Sequence, residues 1–233
     1  VNEGGLADLV ARAGTGESIT AVSLDVSRPE DFAAAIGQVV DEHGRLDIII
    51  NNAGIALAGA FSDTSMSEME KIIDINLWGV LYGSKLAYRQ MIEQGSGQIV
   101  NVSSAGGLMP VPNQTMYSAI KHAVVGFSHS LREDAALPGV RVNTVFPGMV
   151  QSDLWDTAIN VKDYDMKKNM ESTGLKPISA AEAARAVLEG IEANDRSIIF
   201  PGINRAILRL YRLVPGLMTK FAVAPLAKPA DKA

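Results

Sequence analysis

The chain has 233 residues, 47% hydrophobic and 20% charged, with 26 acidic against 21 basic side chains and a net charge of −5. That make-up suits a single cytoplasmic α/β domain with its own core, and it disfavours nucleic acid, whose phosphates call for a basic surface. Without cysteine there are no disulfides, thiolate nucleophiles or cysteine-held metals; His43, His122 and His129 share no ligand spacing, and no apolar run approaches the roughly 20 residues that span a bilayer.

Short β-branched runs alternate with longer helical patterns, the signature of a parallel sheet with crossover helices. Ser18 to Asp25 is a candidate strand, followed by a helix from Pro29 to His43. Pro29 suits the first turn, Glu30 and Asp31 suit the positive end, and Gly44 ends the helix. Leu46 to Ile50 is nearly all apolar, as a strand covered on both faces should be. Ser67 and Glu70 have capping-box spacing and predict a short helix over Ser67–Asp74, with a longer one over Leu77–Glu93. Strand Gln98–Val102, helix Met116–Leu137 and strand Val140–Phe146 follow. A helix over Ala180–Asn194, opened by Ser179 and Glu182, leads to a last strand, Ser197–Phe200.

Chemistry gathers at Tyr117-Ser-Ala-Ile-Lys121, where i, i+4 spacing places a phenol and an ammonium one helical turn apart. A fixed positive charge favours phenolate, and lowering a phenol pKa from about 10 brings it toward efficient proton transfer. In isolation this spacing reads as a solvated helix face. Here it is accompanied by Ser103-Ser104 at the end of the preceding strand, thirteen residues upstream of Tyr117 counting from Ser104. Asn51-Asn52-Ala53-Gly54 and Pro147-Gly148 end two further strands. In open α/β sheets, ligands bind beyond the carboxyl ends of strands, so these three ends outline one crevice.

Asn-Asn-Ala-Gly, Asn76, Ser104, Tyr117-x-x-x-Lys121 and Pro147-Gly148 together resemble the short-chain dehydrogenase/reductase family, over about Leu24 to Phe200. The resemblance implies a Rossmann-like doubly wound parallel α/β sheet and a hydride-transferring oxidoreductase acting on a secondary alcohol or ketone. It implies that Tyr117 is the general acid or base and that Lys121 lowers its pKa and holds the nicotinamide ribose. Ser104 would position the carbonyl, and Asn76 would hold a water joined to Lys121. Asp25 and Val26 would contact adenine, and Asn52, Ala53 and Gly54 the adenine ribose side. Val150 and Ser152, beyond Pro147 and Gly148, would contact the carboxamide. The cofactor is NAD or NADP, with a slight lean to NAD from the Val-Asn-Glu opening. A homodimer or homotetramer is implied, through the helices of Leu77–Glu93 and Tyr117–Leu137.

The family's opening strand and its Thr-Gly-x-x-x-Gly-x-Gly turn find no match. Gly4-Gly5 and Gly14-Thr-Gly16 read as loop and helix-end glycines. The first two strands are therefore expected to be missing from this sequence, leaving roughly 14 Å between the Asp25 strand and Leu46–Ile50. An incomplete sequence or an unobserved N-terminus is the favoured explanation, since a bare central edge invites aggregation. A noncatalytic binding or scaffold protein with an incomplete cofactor site is the alternative, and an epimerase is disfavoured by Asn-Asn-Ala-Gly and the short C-terminal region. Residues 1–202 read as the catalytic domain, with 153–177 as its substrate lid. Met149, Trp155, Met166 and Met170 on one side and Leu108–Pro112 on the other are expected to wall an apolar substrate site. Residues 203–233 form an amphipathic basic tail. Packing on the domain or a second subunit is favoured for it over membrane-surface contact.

Overall fold

The computed structural model describes residues 19–137 and 139–223. Gly4-Gly5 and Gly14-Thr-Gly16 lie outside them. The first helix, α1 (Pro29–His43), has the anticipated bounds: Pro occupies its first turn, and Gly44 closes it at φ 76°. That left-handed conformation is open to glycine without a Cβ penalty.

Four parallel strands form the sheet: β1 (Ile48–Asn51), β3 (Gly97–Val102), β4 (Val140–Pro147) and β6 (Ser197–Phe200), side by side in that order. The register is continuous, with Ile49 opposite Ile99, Ile99 opposite Val142, and Val145 opposite Ile198. Two short strands outside it, β2 (Leu57–Ala58) and β5 (Ile159–Asn160), pair with each other.

Side-chain alternation gives the main sheet two apolar faces. Ile49, Ile99 and Val142 pack on Ala87 and Met91 of α3 (Gly79–Gln94) and Ala135 of α4 (Thr115–Ala135), joined by Ile36, Val39 and Val40 of α1. Val100, Val145, Ile198 and Phe200 point the other way, against Ala183, Val187 and Ile191 of α6 (Ala180–Glu192). α6 covers β4 and β6 and stops short of β1. Ile48 and Ile50 are 44% and 46% exposed, so among the described residues β1 lacks the cover on both faces that its composition suggested.

Two further expectations are corrected. Residues 19–25 form no strand, because among the described residues none pairs with them, so the expected gap has no strand to bound it on that side. The short helix α2 (Met66–Ile73) opens two residues earlier than expected, with Ser65 and Glu68 forming both capping-box bonds. Ser67 and Glu70 have the same spacing, but the Ser65 register buries Ile72 completely. α2 does not break before α3: a π-helical turn over Asp74–Trp78 carries it through.

A buried polar chain ties the elements together. Asn51 Nδ2 donates to Ser84 Oγ at 3.1 Å and to Asn101 Oδ1 at 2.8 Å, and Asn101 Nδ2 donates to Ser128 Oγ at 3.0 Å. These bonds link β1, β3, α3 and α4 in a low-dielectric interior, where each is costly to leave unmade. Gly83 on α3 makes room for them. A Cβ there would sit inside contact distance of Asn51 Oδ1 and 2.9 Å from Phe32 Cε1. Since Asn51 is held by two bonds, Gly83→Ala should destabilise the fold by about 1–3 kcal/mol, read as a lower midpoint in urea.

Candidate active site

The carboxyl ends of β1, β3 and β4 open into one cleft of about 770 Å³. Asn52, Ala53 and Gly54 leave β1; Ser103 and Ser104 leave β3; Pro147 and Gly148 end β4; all of them line it, as do Val150 and Ser152. Asn76, Tyr117 and Lys121 enter from the helical side. The structure thus brings eleven of the thirteen expected site residues together: Asn52, Ala53, Gly54, Asn76, Ser104, Tyr117, Lys121, Pro147, Gly148, Val150 and Ser152. It does not bring in Asp25 or Val26. The Asp25 carboxylate accepts from Ser27 N at 2.9 Å and Ser27 Oγ at 2.7 Å, and the Ser27 hydroxyl holds it below the usual carboxylate range. Val26 lies instead against Gly79 at the start of α3.

The two serines separate cleanly. Ser103 is buried and its Oγ donates to the Lys121 carbonyl at 2.9 Å, locking the first turns of α4 to the end of β3. Ser104 Oγ accepts from Gly106 N at 3.1 Å, and its hydroxyl lies near enough to the Tyr117 phenol to act on its pKa, so Ser104 is the serine that works with the phenol. Lys121 Nζ donates to Val102 O at 3.0 Å and sits 5.7 Å from the centre of the Tyr117 ring. Asn76 is clamped from both ends of its amide: Ile55 N donates to Oδ1 and Nδ2 donates to Ile55 O, each at 2.8 Å. The π-helical turn aims that side chain across at the loop leaving β1. Gly54 completes the arrangement, since a Cβ there would lie 3.3 Å from Asn76 Oδ1 and 3.8 Å from Lys121 Nζ.

Burial governs the electrostatics. It pushes the Tyr117 phenol above its ordinary value, opposed by the nearby Ser104 hydroxyl, and pulls the Lys121 ammonium down to about 8. The phenol is therefore raised, where the Tyr-x-x-x-Lys spacing alone anticipated a lowering. Desolvation disfavours both charged forms, and the ammonium is turned toward Val102 O.

The substrate end differs from expectation. Of the anticipated apolar wall only Trp155 lines the cleft. Met166 is buried against Ala56 and Ala58, with Met170 packed on the same cluster, so the lid's methionines serve its own core. Leu108 faces a separate cavity, and residues 109–112 do not line the cleft. The second wall is supplied by α6, through Ala180, Ala183, Ala184, Val187 and Leu188. Only the run of alanines that narrows this helix hinted at a close approach.

A family model described as short chain dehydrogenase matches residues 2–162, taking in the opening residues as well as the stretch from Leu24. Oxidoreductase UcpA of Escherichia coli K12 is 39% identical over 199 residues, covering 83% of this chain and 76% of that protein. A short-chain dehydrogenase from Sphingobium yanoikuyae, solved in complex with NADPH, has 26% identity and a TM-score of 0.74, over 100% of this chain and 87% of that one. A short chain dehydrogenase/reductase from Burkholderia phymatum, solved in complex with NAD, shares the fold with a TM-score of 0.83 at 24% identity, over 94% of this chain and 84% of that one.

Proposed function

The chain belongs to the short-chain dehydrogenase family, and from that premise we propose that it transfers hydride between a nicotinamide cofactor and an apolar secondary alcohol or ketone, with Tyr117 as general acid or base. The observation that carries this reading is the convergence of Ser104, Tyr117, Lys121 and Asn76 in one cleft. NAD and NADP both remain candidates for the cofactor.

The cleft suits such a group. Lys121 spends one of its three N–H donors on Val102 O, leaving two for ribose hydroxyls. Gly54 has no Cβ, which keeps the space beside Lys121 open, and Val150 and Ser152 line the same cleft. When bound, the nicotinamide supplies or accepts the hydride. The protein's part is the proton and the geometry. Ser104 Oγ, beside the phenol, would donate to a carbonyl oxygen as charge develops on it. Tyr117 Oη would pass its proton to that oxygen; a phenol held above its ordinary value is protonated at neutral pH, the form that can donate. Lys121 would return a proton to the phenol. With both amide ends of Asn76 committed to Ile55, its backbone carbonyl is the group left to hold a water toward Lys121. Val102, Val150, Leu154, Trp155 and Val187 make the substrate end apolar.

Two measurements test the reading. Fluorescence titration with NADH and NADPH should show saturable binding of at least one; binding of neither would favour a scaffold role. Ser104→Ala should lower kcat on a panel of apolar ketones by about 10²–10³-fold, the usual effect of removing a donor to a developing oxyanion. An unchanged kcat would remove Ser104 from the mechanism.

A further inference from the structure

A second cavity of about 300 Å³ lies between the turn that opens β6 and the helix α7 (Ile203–Leu213), and it shares no wall residue with the catalytic cleft. Four guanidinium groups line it: Arg196 from the turn, and Arg205, Arg209 and Arg212 from α7. The last three fall at i, i+4 and i+7, which puts them on one stripe of the helix. In a chain of net charge −5, this is a local concentration of positive charge.

Little of that charge is met among the described residues. Arg196 pairs with Glu133, and Asp195 stands in the cavity wall. Arg205 Nε makes a long bond of 3.4 Å to Ile199 O. Arg209 and Arg212 make no ion pair or side-chain hydrogen bond among the described residues. Like charges at helical spacing repel, so the cluster is at a disadvantage until an anion joins it. The field reaches His129 on α4: burial first, then Arg196, Arg212 and Arg132, hold its imidazole below the ordinary value, with Glu133 opposing. His129 Nε2 is buried without a partner.

We propose that this cavity binds a phosphate group. Guanidinium forks match phosphate oxygens two at a time, which favours phosphate over halide and explains four arginines with no lysine. The phosphate is either that of a soluble ester or that of a lipid headgroup. Leu210, Leu213 and Leu217, exposed at 47%, 78% and 57%, flank the arginines and would rest at a bilayer surface in the second case.

The test uses the intact chain and its three histidines, with the His129 resonance identified by loss in His129→Gln. Inorganic phosphate is titrated against sodium chloride at matched ionic strength. A saturable upward shift of the His129 titration midpoint is expected, since a nearby anion favours imidazolium. Affinity should fall at least about tenfold in the double variant Arg209→Gln/Arg212→Gln. Hydride-transfer activity should be unchanged, because neither arginine touches the cleft. Vesicles identify the source. Co-sedimentation with phosphatidylglycerol but not phosphatidylcholine, lost in the double variant, assigns a headgroup; the phosphate response without such binding assigns a soluble ester. A His129 response equal to that of chloride, or one retained in full by the double variant, overturns the proposal.

Discussion

Tyr117→Phe should reduce turnover by about 10²–10⁴-fold while leaving cofactor affinity within about twofold of the parent and the fold intact. The ring packs against Leu57, Ile72, Ile120 and Val161, and phenylalanine fills the same space. What the substitution removes is one hydroxyl, next to Ser104 in the lining of the cleft. Its loss costs stability only about 1 kcal/mol, since Ser104 Oγ retains Gly106 N. Lys121, the group assigned to the ribose, is untouched and keeps its bond to Val102 O. The expected result is therefore a kcat effect with little change in nicotinamide affinity, measured by turnover on ketones and by NADH or NADPH fluorescence. Unchanged turnover would remove Tyr117 from proton transfer, whereas parallel loss of binding and melting temperature would show a structural role instead.

The catalytic end of the site was legible because its residues follow strands whose own patterns are strong. Asn52, Ser104 and Pro147 each come just after an apolar run, so finding the strand locates the ligand edge. Strand alternation also separates neighbours: Asn51 turns into the core toward Ser84 and Asn101, while Asn52 faces the cleft. α1 and α6 were legible for a different reason: Pro29 and Gly44 mark the ends of α1, and the Ser179–Glu182 capping box opens α6. Ser65 and Ser67 compete on equal local terms, and only the burial of Ile72 decides between them. What was not legible depends on contacts distant in sequence. A strand at residues 18–25 needs a neighbour that local sequence cannot supply. The lid methionines could not be assigned to cleft or core until β2 and β5 paired and set Met166 on Ala56 and Ala58. Likewise Arg196 and the arginines of α7 share a cavity only because β6 folds back between them. The phenol's raised pKa belongs to the same class, because burial outweighs a neighbour that spacing alone suggested would dominate.

Lys121→Met should abolish activity and yet raise the melting temperature of the cofactor-free protein at pH 7. The ammonium is buried with Val102 O as its one hydrogen-bond acceptor among the described residues, and burial brings its folded-state pKa to about 8 from an ordinary 10.5. A lowered pKa means the folded chain resists protonation that the unfolded chain accepts, a penalty of about 3 kcal/mol at neutral pH. Methionine removes that penalty at similar volume, while leaving Val102 O without its donor costs about 1 kcal/mol or more. A net gain of about 1–2 kcal/mol follows, worth roughly 2–8 °C in a chain of this size. The pH dependence fixes the cause. Between pH 8 and 10.5 the unfolded chain still holds the proton that the folded one has released, so stability of the parent rises with pH across that window. The advantage of Lys121→Met should shrink accordingly, and differential scanning calorimetry at pH 7 and pH 10 reads both values. A variant that melts below the parent at pH 7 would mean that the ammonium stabilises the fold, and that its retention needs no catalytic reason. The predicted opposite result is what a group kept for chemistry should give: a charge held at a cost to stability, beside a phenol that needs it only when substrate and cofactor are in place.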